Sequence, residues 1–428
     1  MKRKVDHHRN DSYTQTGPNK IAEVASEYID FHDPSSVRSH NASILSNQFG
    51  LKISLPEDRL CPPIPNRLAY ISWIQALIDS TSPNYGTTYD PNRQVIGLDI
   101  GTGASAIYSL LALQSRPNWT MCLTDIDDKS FEYATQNIKL NGFSPRVKML
   151  KTTALHSLIP LHQLDVERLD FTLCNPPFFA SDKEMQSSLA GAGKTTAPST
   201  ICTGSVNEMV TAGGDLGFVL KIVQASFTLQ DKVQWYSSMF GKLSSAQAII
   251  EELRNRGIRN WAVGSIAPGG STRRWIVAWS FWDYRPRNDI ARGAALPSLS
   301  MYLPDPTEYV CLMSLGQEVA AVWAKVRELL VSMESLFLDW DEQESVVVGG
   351  VAQNVWNRVY RKAKKAKMDV GDTQDTSPVG RKDRPVALVF RVRMPNEDRQ
   401  IFLEWVRGLD SVLWISFCGW IHRAIREA

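Results

Sequence analysis

The sequence predicts an α/β fold built on a parallel sheet, followed by a smaller α+β domain. Two strand-like runs, Val95–Ile100 and residues 119–124, are each followed by a turn and by a segment of helical periodicity, at residues 104–113 and 128–140. Alternation of strand and helix is typical of a parallel sheet with helices on its faces. After Asp283 the chain becomes rich in proline, and a second group of helix and strand patterns begins.

The composition describes a soluble globular protein of two or three domains. The 428 residues are 43% hydrophobic and 21% charged. No uncharged apolar run reaches the roughly 18 residues of a membrane span, and from the charged residues at the start we expect no secretory signal peptide. The six cysteines lie far apart, without zinc-binding or disulfide-scaffold spacing, so we expect a reducing compartment, the cytosol or the nucleus.

Two helices are predicted before the sheet. Asp33 can cap a helix that starts at Pro34, because proline suits the first helical position, and Gly50 can end it. Asn66 predicts the cap of a second helix, which carries Arg67 in its first turn.

The predicted strands end in polar residues that should meet at one edge of the sheet. The Gly101 turn follows the first strand, Asp125 ends the second, residues 146–150 form the third, and Asn175 follows the fourth at residues 169–173. Ligands of open parallel sheets bind beyond the carboxyl ends of the strands. These residues therefore indicate one binding crevice.

The remaining patterns complete the chain. Residues 181–205, rich in Ser, Gly, Thr and Ala, predict a long flexible loop that serves as a lid or substrate loop. Strands at 232–240 and 275–282, around a helix at 245–256, would complete the sheet. The last part of the chain predicts a final helix preceded by helices at 316–336 and 351–367 and a strand at 386–392.

These patterns predict four parts of the chain. They are a basic arm at residues 1–20, a catalytic α/β domain at 21–290, a linker at 291–310 and an accessory domain at 311–428.

The charge is concentrated at the carboxyl end. Residues 350–428 hold 15 Lys and Arg against 9 Asp and Glu, whereas the rest of the chain holds 32 against 36. Five of the seven residues at 361–367 are basic. This imbalance favours a polyanionic partner such as RNA, with a merely solvated helix end as the alternative.

The glycine turn and two acidic residues predict a nucleoside-containing cofactor. The run from Gly101 to Ala106 satisfies the loose dinucleotide fingerprint, which alone is a weak signal. Asp125 would bind ribose hydroxyls in either an NAD or an S-adenosylmethionine site. Asp99 favours the second, because a carboxylate attracts the ammonium group of an amino acid and repels a pyrophosphate.

The motif that follows the fourth strand predicts the chemistry. The Asn175 side chain and the Pro176 carbonyl, held by proline φ angles, offer two acceptors to an exocyclic amine, while Phe178 can stack on a planar ring. The sequence Asn-Pro-Pro-Phe therefore indicates methylation of a planar amine. An ordinary strand-to-loop turn is the alternative.

Several segments together resemble a known family. In this order they are similar to the eukaryotic U6 small nuclear RNA adenine-N6 methyltransferases, relatives of a bacterial large-subunit ribosomal RNA adenine methyltransferase, over about residues 21–284. The matching segments are residues 97–105, 175–179, 235–237, 241–242, 274–275 and 278–281. The resemblance implies a Rossmann-like methyltransferase fold, S-adenosylmethionine as cofactor and an adenosine in structured RNA as substrate, with U6 small nuclear RNA as the expected RNA.

The resemblance and the residue chemistry together predict the site. The expected catalytic residues are Asn175, Pro176, Pro177 and Phe178. The expected cofactor-binding residues are Arg67, Asp99, Gly101, Gly103, Ser105, Asp125, Thr153 and Asn175, with Thr152 as the alternative to Thr153. The expected RNA-binding residues are Phe179, Lys242, Arg274, Lys4 and Arg9.

The sequence departs from the family at two positions, and two alternative functions remain open. Relatives often carry Glu where this chain has Asp125, and a basic residue where it has Ser271. The same motif would suit guanine N2 or a glutamine amide, and a non-catalytic RNA-binding protein could keep the same fold. The expected location is the nucleus, with the cytoplasm as a second compartment.

Overall fold

The computed structural model describes residues 33–189, 204–267, 273–294, 296–360, 362–363, 385–395 and 399–427. The predicted basic arm, with Lys4 and Arg9, and most of the basic tract at 361–367 lie outside these residues. Across the described ranges, no helix is both long and apolar enough to cross a bilayer.

Seven strands form the first sheet: β1 (Val95–Ile100), β2 (Trp119–Asp125), β3 (Val147–Lys151), β4 (Leu169–Cys174), β5 (Val233–Phe240), β6 (Asn260–Ile266) and β7 (Arg274–Ser280). Their order is β3-β2-β1-β4-β5-β7-β6. Strands β1 to β5 run parallel, and β7 is antiparallel to both β5 and β6. This is the doubly wound parallel sheet that the alternating pattern predicts.

Nine helices accompany this sheet in the described residues: α1 (Pro34–Phe49), α2 (Ile64–Ser80), α3 (Ile107–Ser115), α4 (Asp128–Leu140), α5 (Asp182–Leu189), α6 (Val206–Met209), α7 (Gly214–Leu229), α8 (Leu243–Asn255) and α9 (Asn288–Ala291). Helices α2 and α3 contribute Ile71, Ile74 and Leu110 to one apolar core, whereas α7 and α8 contribute Ile222 and Ile249 to a second. Each such burial stabilises the fold by about 1.5–3 kcal/mol. The carboxyl edge of the sheet is therefore held on a rigid platform.

The predicted start of α1 is confirmed and that of α2 is wrong. The Asp33 carboxylate accepts from two amides of the first turn of α1, and Gly50 ends the helix at a φ of 65°. Helix α2 starts at Ile64 after Pro63, so Asn66 lies within its first turn instead of capping it. Proline in the first turn has its φ angle already set for a helix, and this starts the helix earlier.

The predicted loop at residues 181–205 is partly helical. Two acidic residues in the first turn of α5, Asp182 and Glu184, favour the amino end of a helix dipole. Ser205 caps α6. Residues 190–203 lie outside the described ranges.

A second, antiparallel sheet follows: β8 (Glu308–Leu312), β9 (Phe337–Asp341), β10 (Val346–Val351), β11 (Leu388–Arg393) and β12 (Gln400–Arg407), in the order β8-β12-β11-β10-β9. Two helices, α10 (Val319–Ser332) and α11 (Ser411–Arg426), share a core with it. The predicted helix at 351–367 is therefore wrong at its start, because Val351 is the last residue of β10 and pairs with Leu388 of β11.

A buried arginine joins the two sheets. Arg285 donates from Nε to the Gly408 carbonyl at 2.9 Å, and its guanidinium carbon lies 4.0 Å from the centre of the Trp405 ring. Nearby, Arg407 Nε pairs with Asp283 at 2.8 Å. The second sheet is thus docked on the first.

The predicted linker is packed. Residues Pro297–Tyr302 form a 3-10 helix, and Leu299 is fully buried in the core that α8 shares. Trp261 Nε1 donates to the Tyr302 carbonyl at 2.9 Å. The division of the chain into domains at residues 290 and 310 stays a prediction.

Candidate active site

Parallel register brings three predicted site residues to one level of the sheet edge. Ile100 of β1 stands beside Thr124 of β2 and Cys174 of β4. The next residue on each strand is Gly101, Asp125 or Asn175, and neighbouring strands lie about 4.8 Å apart. The structure therefore brings these three residues together.

The turn after β1 requires its glycines. Gly101 and Gly103 have φ angles of 69° and 64°, a conformation that residues with a Cβ rarely adopt. The Thr102 amide donates to the Thr124 carbonyl at 2.9 Å, which fixes the turn against β2. Ser105 Oγ accepts from the amide of Ile107, the first residue of α3, at 3.3 Å.

Asp125 closes one side of the crevice. Its Oδ2 accepts from the Gly103 amide at 2.8 Å and its Oδ1 from the Asp127 amide at 2.9 Å. Burial raises the pKa of this carboxyl. Each oxygen keeps a lone pair for a further donor, which fits the two hydroxyls of a ribose.

Asp99 lies beneath the turn. Its Oδ2 accepts from the hydroxyls of Thr102 at 2.9 Å and Ser109 at 3.1 Å. The pKa of Asp99 is raised to about 7, chiefly by burial and also by the neighbouring charge of Asp125, against the two hydroxyls, which lower it. This carboxyl therefore changes charge near neutral pH.

Arg67 brings a buried positive charge to the same place. Its Nη1 donates to the Tyr108 hydroxyl at 2.7 Å, and burial raises the pKa of that phenol to about 12. Among the described residues Arg67 makes no ion pair within 4.0 Å, although it is 6% exposed. A buried cation without a paired carboxylate fits the carboxylate of an amino acid.

Asn175 leaves an acceptor unused. It is half-buried, directly before the buried Pro176. Its Oδ1 is shielded from solvent and has no hydrogen-bond partner in the described part of the chain. Leaving a buried acceptor unpaired costs about 1–3 kcal/mol, and a ligand that donates to it would explain why it is kept.

Phe178 lies between two elements that the sequence places far apart. A Cβ on Gly241 would stand 3.0 Å from the Phe178 ring, so glycine allows the ring its place after β5. The Arg274 guanidinium lies 5.3 Å from the ring centre. Burial lowers the pKa of Arg274, the charge of Arg67 lowers it further, and Asp215 opposes this.

Sequence reasoning missed Asp215, which holds the Phe178 environment in place. Its Oδ2 accepts from the Gly241 amide at 3.0 Å, and its Oδ1 accepts from Ser245 Oγ at 2.8 Å. The signal was an acidic residue in the first turn of α7, directly after two glycines. Tyr108, the partner of Arg67, was also missed.

The other predicted residues lie at the margin. The backbone amide and carbonyl of Phe179 make hydrogen bonds within the protein. Lys242 pairs with Glu184 of α5 at 2.6 Å. Thr153 is exposed, whereas Thr152 is buried and donates from Oγ1 to the Asp125 carbonyl at 3.2 Å. Of the two threonine candidates, Thr152 is therefore the one attached to Asp125.

The doubly wound sheet carries three features at its carboxyl edge. They are a glycine turn, an aspartate suited to binding ribose hydroxyls, and the sequence Asn-Pro-Pro-Phe after β4. Together they define a Rossmann-like methyltransferase that acts on a planar amine. Comparison with known proteins agrees with this class. The profile of an RNA methyltransferase family matches residues 20–283. The chain belongs to this RNA methyltransferase family.

Relatives of known activity extend the match. A U6 small nuclear RNA (adenine-(43)-N(6))-methyltransferase of Schizosaccharomyces pombe is 33% identical over 93% of this chain and 95% of its own length. Human RNA N(6)-adenosine-methyltransferase METTL16 is 37% identical over 60% of this chain, which spans less than half (44%) of that protein. The human METTL16 catalytic domain in complex with a MAT2A 3'UTR hairpin superposes with a TM-score of 0.52 at 36% identity, covering 59% of this chain and 83% of that one.

These matches confirm the predicted family, the Rossmann-like fold and the class of enzyme. S-adenosylmethionine is the cofactor of this methyltransferase family, and the residues present fit it. Asp125 suits its ribose, Arg67 its carboxylate and Asp99 its ammonium group. The roles of individual residues stay predictions.

Proposed function

We propose that this protein transfers a methyl group from S-adenosylmethionine to N6 of an adenosine in structured RNA, with U6 small nuclear RNA as its substrate in the nucleus. The observation that carries the proposal is the unpaired, shielded Oδ1 of Asn175 beside the glycine turn. The activity named for the fission yeast relative, which matches nearly the whole chain, supports the choice of RNA.

The cofactor would be held by residues at the carboxyl ends of β1, β2 and β3. Arg67 would bind its carboxylate, Asp99 its ammonium group and Asp125 its ribose. Gly101, Gly103, Ser105 and Thr153 or Thr152 would line the remaining wall. When bound, the cofactor supplies an electrophilic methyl group, so the protein mainly has to orient the acceptor nitrogen. Such orientation can contribute up to about 7–11 kcal/mol.

The catalytic motif would orient the amine. Asn175 Oδ1 and the Pro176 carbonyl would accept hydrogen bonds from its two N–H groups, which raises electron density on the nitrogen as it attacks, and the methylated amine then releases one proton to water. Pro177 fixes the backbone, and Phe178 stacks on the adenine for about 1–3 kcal/mol. Because the adenine must lie flat against Phe178, the base has to be unstacked or presented from a loop.

RNA would bind along a basic margin of the crevice. Arg274 and Lys242 lie beside the motif and would contact phosphates, with Phe179 at the entrance. The arm residues Lys4 and Arg9 and the basic carboxyl-terminal region would extend this surface. Docking of the second sheet through Arg285 and Arg407 supports a fixed position for that accessory region.

Labelled methyl transfer tests the proposal. We expect the protein to move label from S-adenosylmethionine to a hairpin with U6-like sequence, and digestion to nucleosides to yield N6-methyladenosine. Label in N2-methylguanosine or in a protein glutamine would replace adenosine as the substrate. RNA binding without any transfer would mark a non-catalytic RNA-binding protein.

A further inference from the structure

The short segment Gly204–Thr211 lies beside both the glycine turn and the Asn-Pro-Pro-Phe motif of the crevice. It follows the residues outside the described ranges and leads into α7. The Met209 carbonyl accepts from the Phe179 amide at 3.0 Å, and the Thr211 amide donates to the Phe179 carbonyl at 2.9 Å. The segment therefore fixes the backbone that directly follows Phe178.

Glu208 ties the same segment to a distant part of the chain. Its Oε2 accepts from the Ser205 amide at 2.9 Å, from Ser205 Oγ at 3.1 Å and from the Leu60 amide at 3.1 Å. The first of these contacts is half of a capping box, whose other half is the Glu208 amide donating to the Ser205 side chain. The third contact bridges to the connection between α1 and α2, 148 residues earlier. One carboxylate oxygen thus holds two segments together.

The other oxygen of Glu208 faces the glycine turn. The position that a Cβ on Gly103 would take lies 3.8 Å from Oε1. Gly103 itself donates its amide to Asp125 at 2.8 Å. The Glu208 carboxylate therefore lies close to the turn expected to hold the cofactor, with no side chain of Gly103 between them.

Capping alone does not account for this arrangement. Helix α6 has four residues, which is one turn, and a cap contributes about 1 kcal/mol. Against this, burial raises the pKa of Glu208 because desolvation disfavours its charge. Arg59, next to Leu60, pairs with Asp127 at 2.8 Å, so the Leu60 segment is also anchored beside Asp125.

We propose that Glu208 is a positioning residue that couples the cofactor turn at Gly103 to the catalytic motif at Phe178 and Phe179. Cofactor binding at the turn then places the motif in the position that binds the RNA base. In the same way, RNA binding at the motif places the turn in the position that binds the cofactor. This inference rests on the proposed function, because it assigns the two ligands to these two places.

Calorimetry on the full chain tests the coupling without any methyl transfer. The affinity for S-adenosylhomocysteine is measured with and without a saturating U6-like hairpin, in wild type, Glu208→Ala and Glu208→Gln. We expect RNA to strengthen binding about tenfold in wild type and not at all in Glu208→Ala. Glu208→Gln, whose amide oxygen can accept the same three hydrogen bonds, should keep most of the effect.

Controls separate coupling from folding. Glu252→Ala, which removes an exposed partner of Arg256 on α8, should leave the coupling at the wild-type value. If Glu208→Ala unfolds at the assay temperature, Glu208→Asp replaces it, because its shorter side chain cannot reach Leu60 and Gly103 together. Equal coupling in wild type and the shortened variant, including no coupling in either, would overturn the inference. A wild type that shows coupling but methylates no adenosine would instead overturn the proposed function.

Discussion

The carboxyl edge of the first sheet and the second sheet treat polar groups in opposite ways. In the second sheet, neighbouring charges on β8, β11 and β12 are paired: Glu404 accepts from Arg391 and Arg393, both at 2.6 Å, and Glu308 pairs with Arg393 at 3.3 Å. At the crevice, Asn175 Oδ1 is shielded without a partner in the described residues, and burial raises the pKa of Asp99 to about 7. A shielded acceptor without a partner and a carboxyl with a strongly raised pKa in one place, and paired charges in another, indicate that the first serves ligands and the second serves stability.

The sharpest way to break this comparison is to remove the unpaired acceptor. Asn175→Ala should lower kcat about 100- to 1000-fold, the range seen when one preorganised polar group at a reacting centre is lost. It should not lower Tm, because the lost oxygen makes no hydrogen bond within the described ranges. Steady-state kinetics and thermal unfolding measure both.

Asn354, which follows β10 of the second sheet, provides the matched control. Its Nδ2 donates to Ser416 Oγ at 3.2 Å, and its Oδ1 accepts from the Asn357 amide at 3.1 Å. Asn354→Ala should lower Tm and leave kcat unchanged. The reverse pattern in the two variants would contradict the assignment of roles.

The next largest effect concerns the joint between the sheets. Arg285→Ala should lower the free energy of unfolding by about 3 kcal/mol, because hydrogen bonds to a charged group contribute about 1.5–3 kcal/mol and the stacking on Trp405 is lost as well. Urea unfolding followed by fluorescence checks this. Methyl transfer per folded molecule to a minimal hairpin should stay at the wild-type rate, and a loss of that rate would show that the joint also shapes the crevice.

A smaller effect is expected at Asp215. Asp215→Asn places an amide nitrogen, which cannot accept, opposite either the Gly241 amide or the Leu216 amide, which donates to Asp215 Oδ1 at 2.8 Å. The backbone that packs against Phe178 should become more mobile, and kcat should fall about tenfold. The KM for S-adenosylmethionine should stay unchanged, because this group acts on the acceptor base alone.

A matched aspartate lies at the amino end of the same sheet. Asp170 accepts from the Ile96 amide at 2.8 Å and pairs with Arg93 at 3.2 Å. Asp170→Asn should reduce stability without changing kcat. An equal fall of kcat in both variants would mean that any loosening of the sheet impairs catalysis.

The smallest effect is the pH dependence of Asp99. Its raised pKa means that the folded protein favours the neutral carboxyl, so this group stabilises the fold below the ordinary carboxyl pKa and the contribution is lost as the pH rises through about 7. A cofactor ammonium needs the ionised form. Affinity for S-adenosylmethionine should therefore fall a few-fold between about pH 8 and about pH 6, and Asp99→Asn should flatten the profile. Asp231→Asn, at an exposed position, should retain the wild-type slope.

Sequence patterns predicted the first sheet better than the second. Strands β1, β2 and β4 end in glycine, aspartate and asparagine-proline, so local chemistry marks both the strand and its functional edge. In the second sheet, Val346–Val351 lies directly before a helical pattern, and the pairing of β10 with β9 and β11 decides the matter. Such long-range pairing is not visible in local periodicity.

The candidate site shows the same division. Asn175, Gly101 and Asp125 were predictable because each lies at, or directly after, the carboxyl end of a strand. Asp215 and Tyr108 act on residues far away in the chain, Gly241 and Arg67, and only the fold brings them together. Glu208 had a local signal, the spacing Ser205-x-x-Glu208 of a capping box, but its contact with Leu60 depends on tertiary structure.

The expected role of Asn175 Oδ1 as an acceptor can be tested by removing the amine that it is expected to bind. Affinities are compared for a U6-like hairpin with adenosine at the target position and for the same hairpin with purine riboside, which lacks the amine. Wild type should bind the adenosine hairpin about tenfold more tightly, since an unpaired buried acceptor costs about 1–3 kcal/mol, and Asn175→Ala should bind both alike. Equal binding of the two hairpins by wild type would contradict the account.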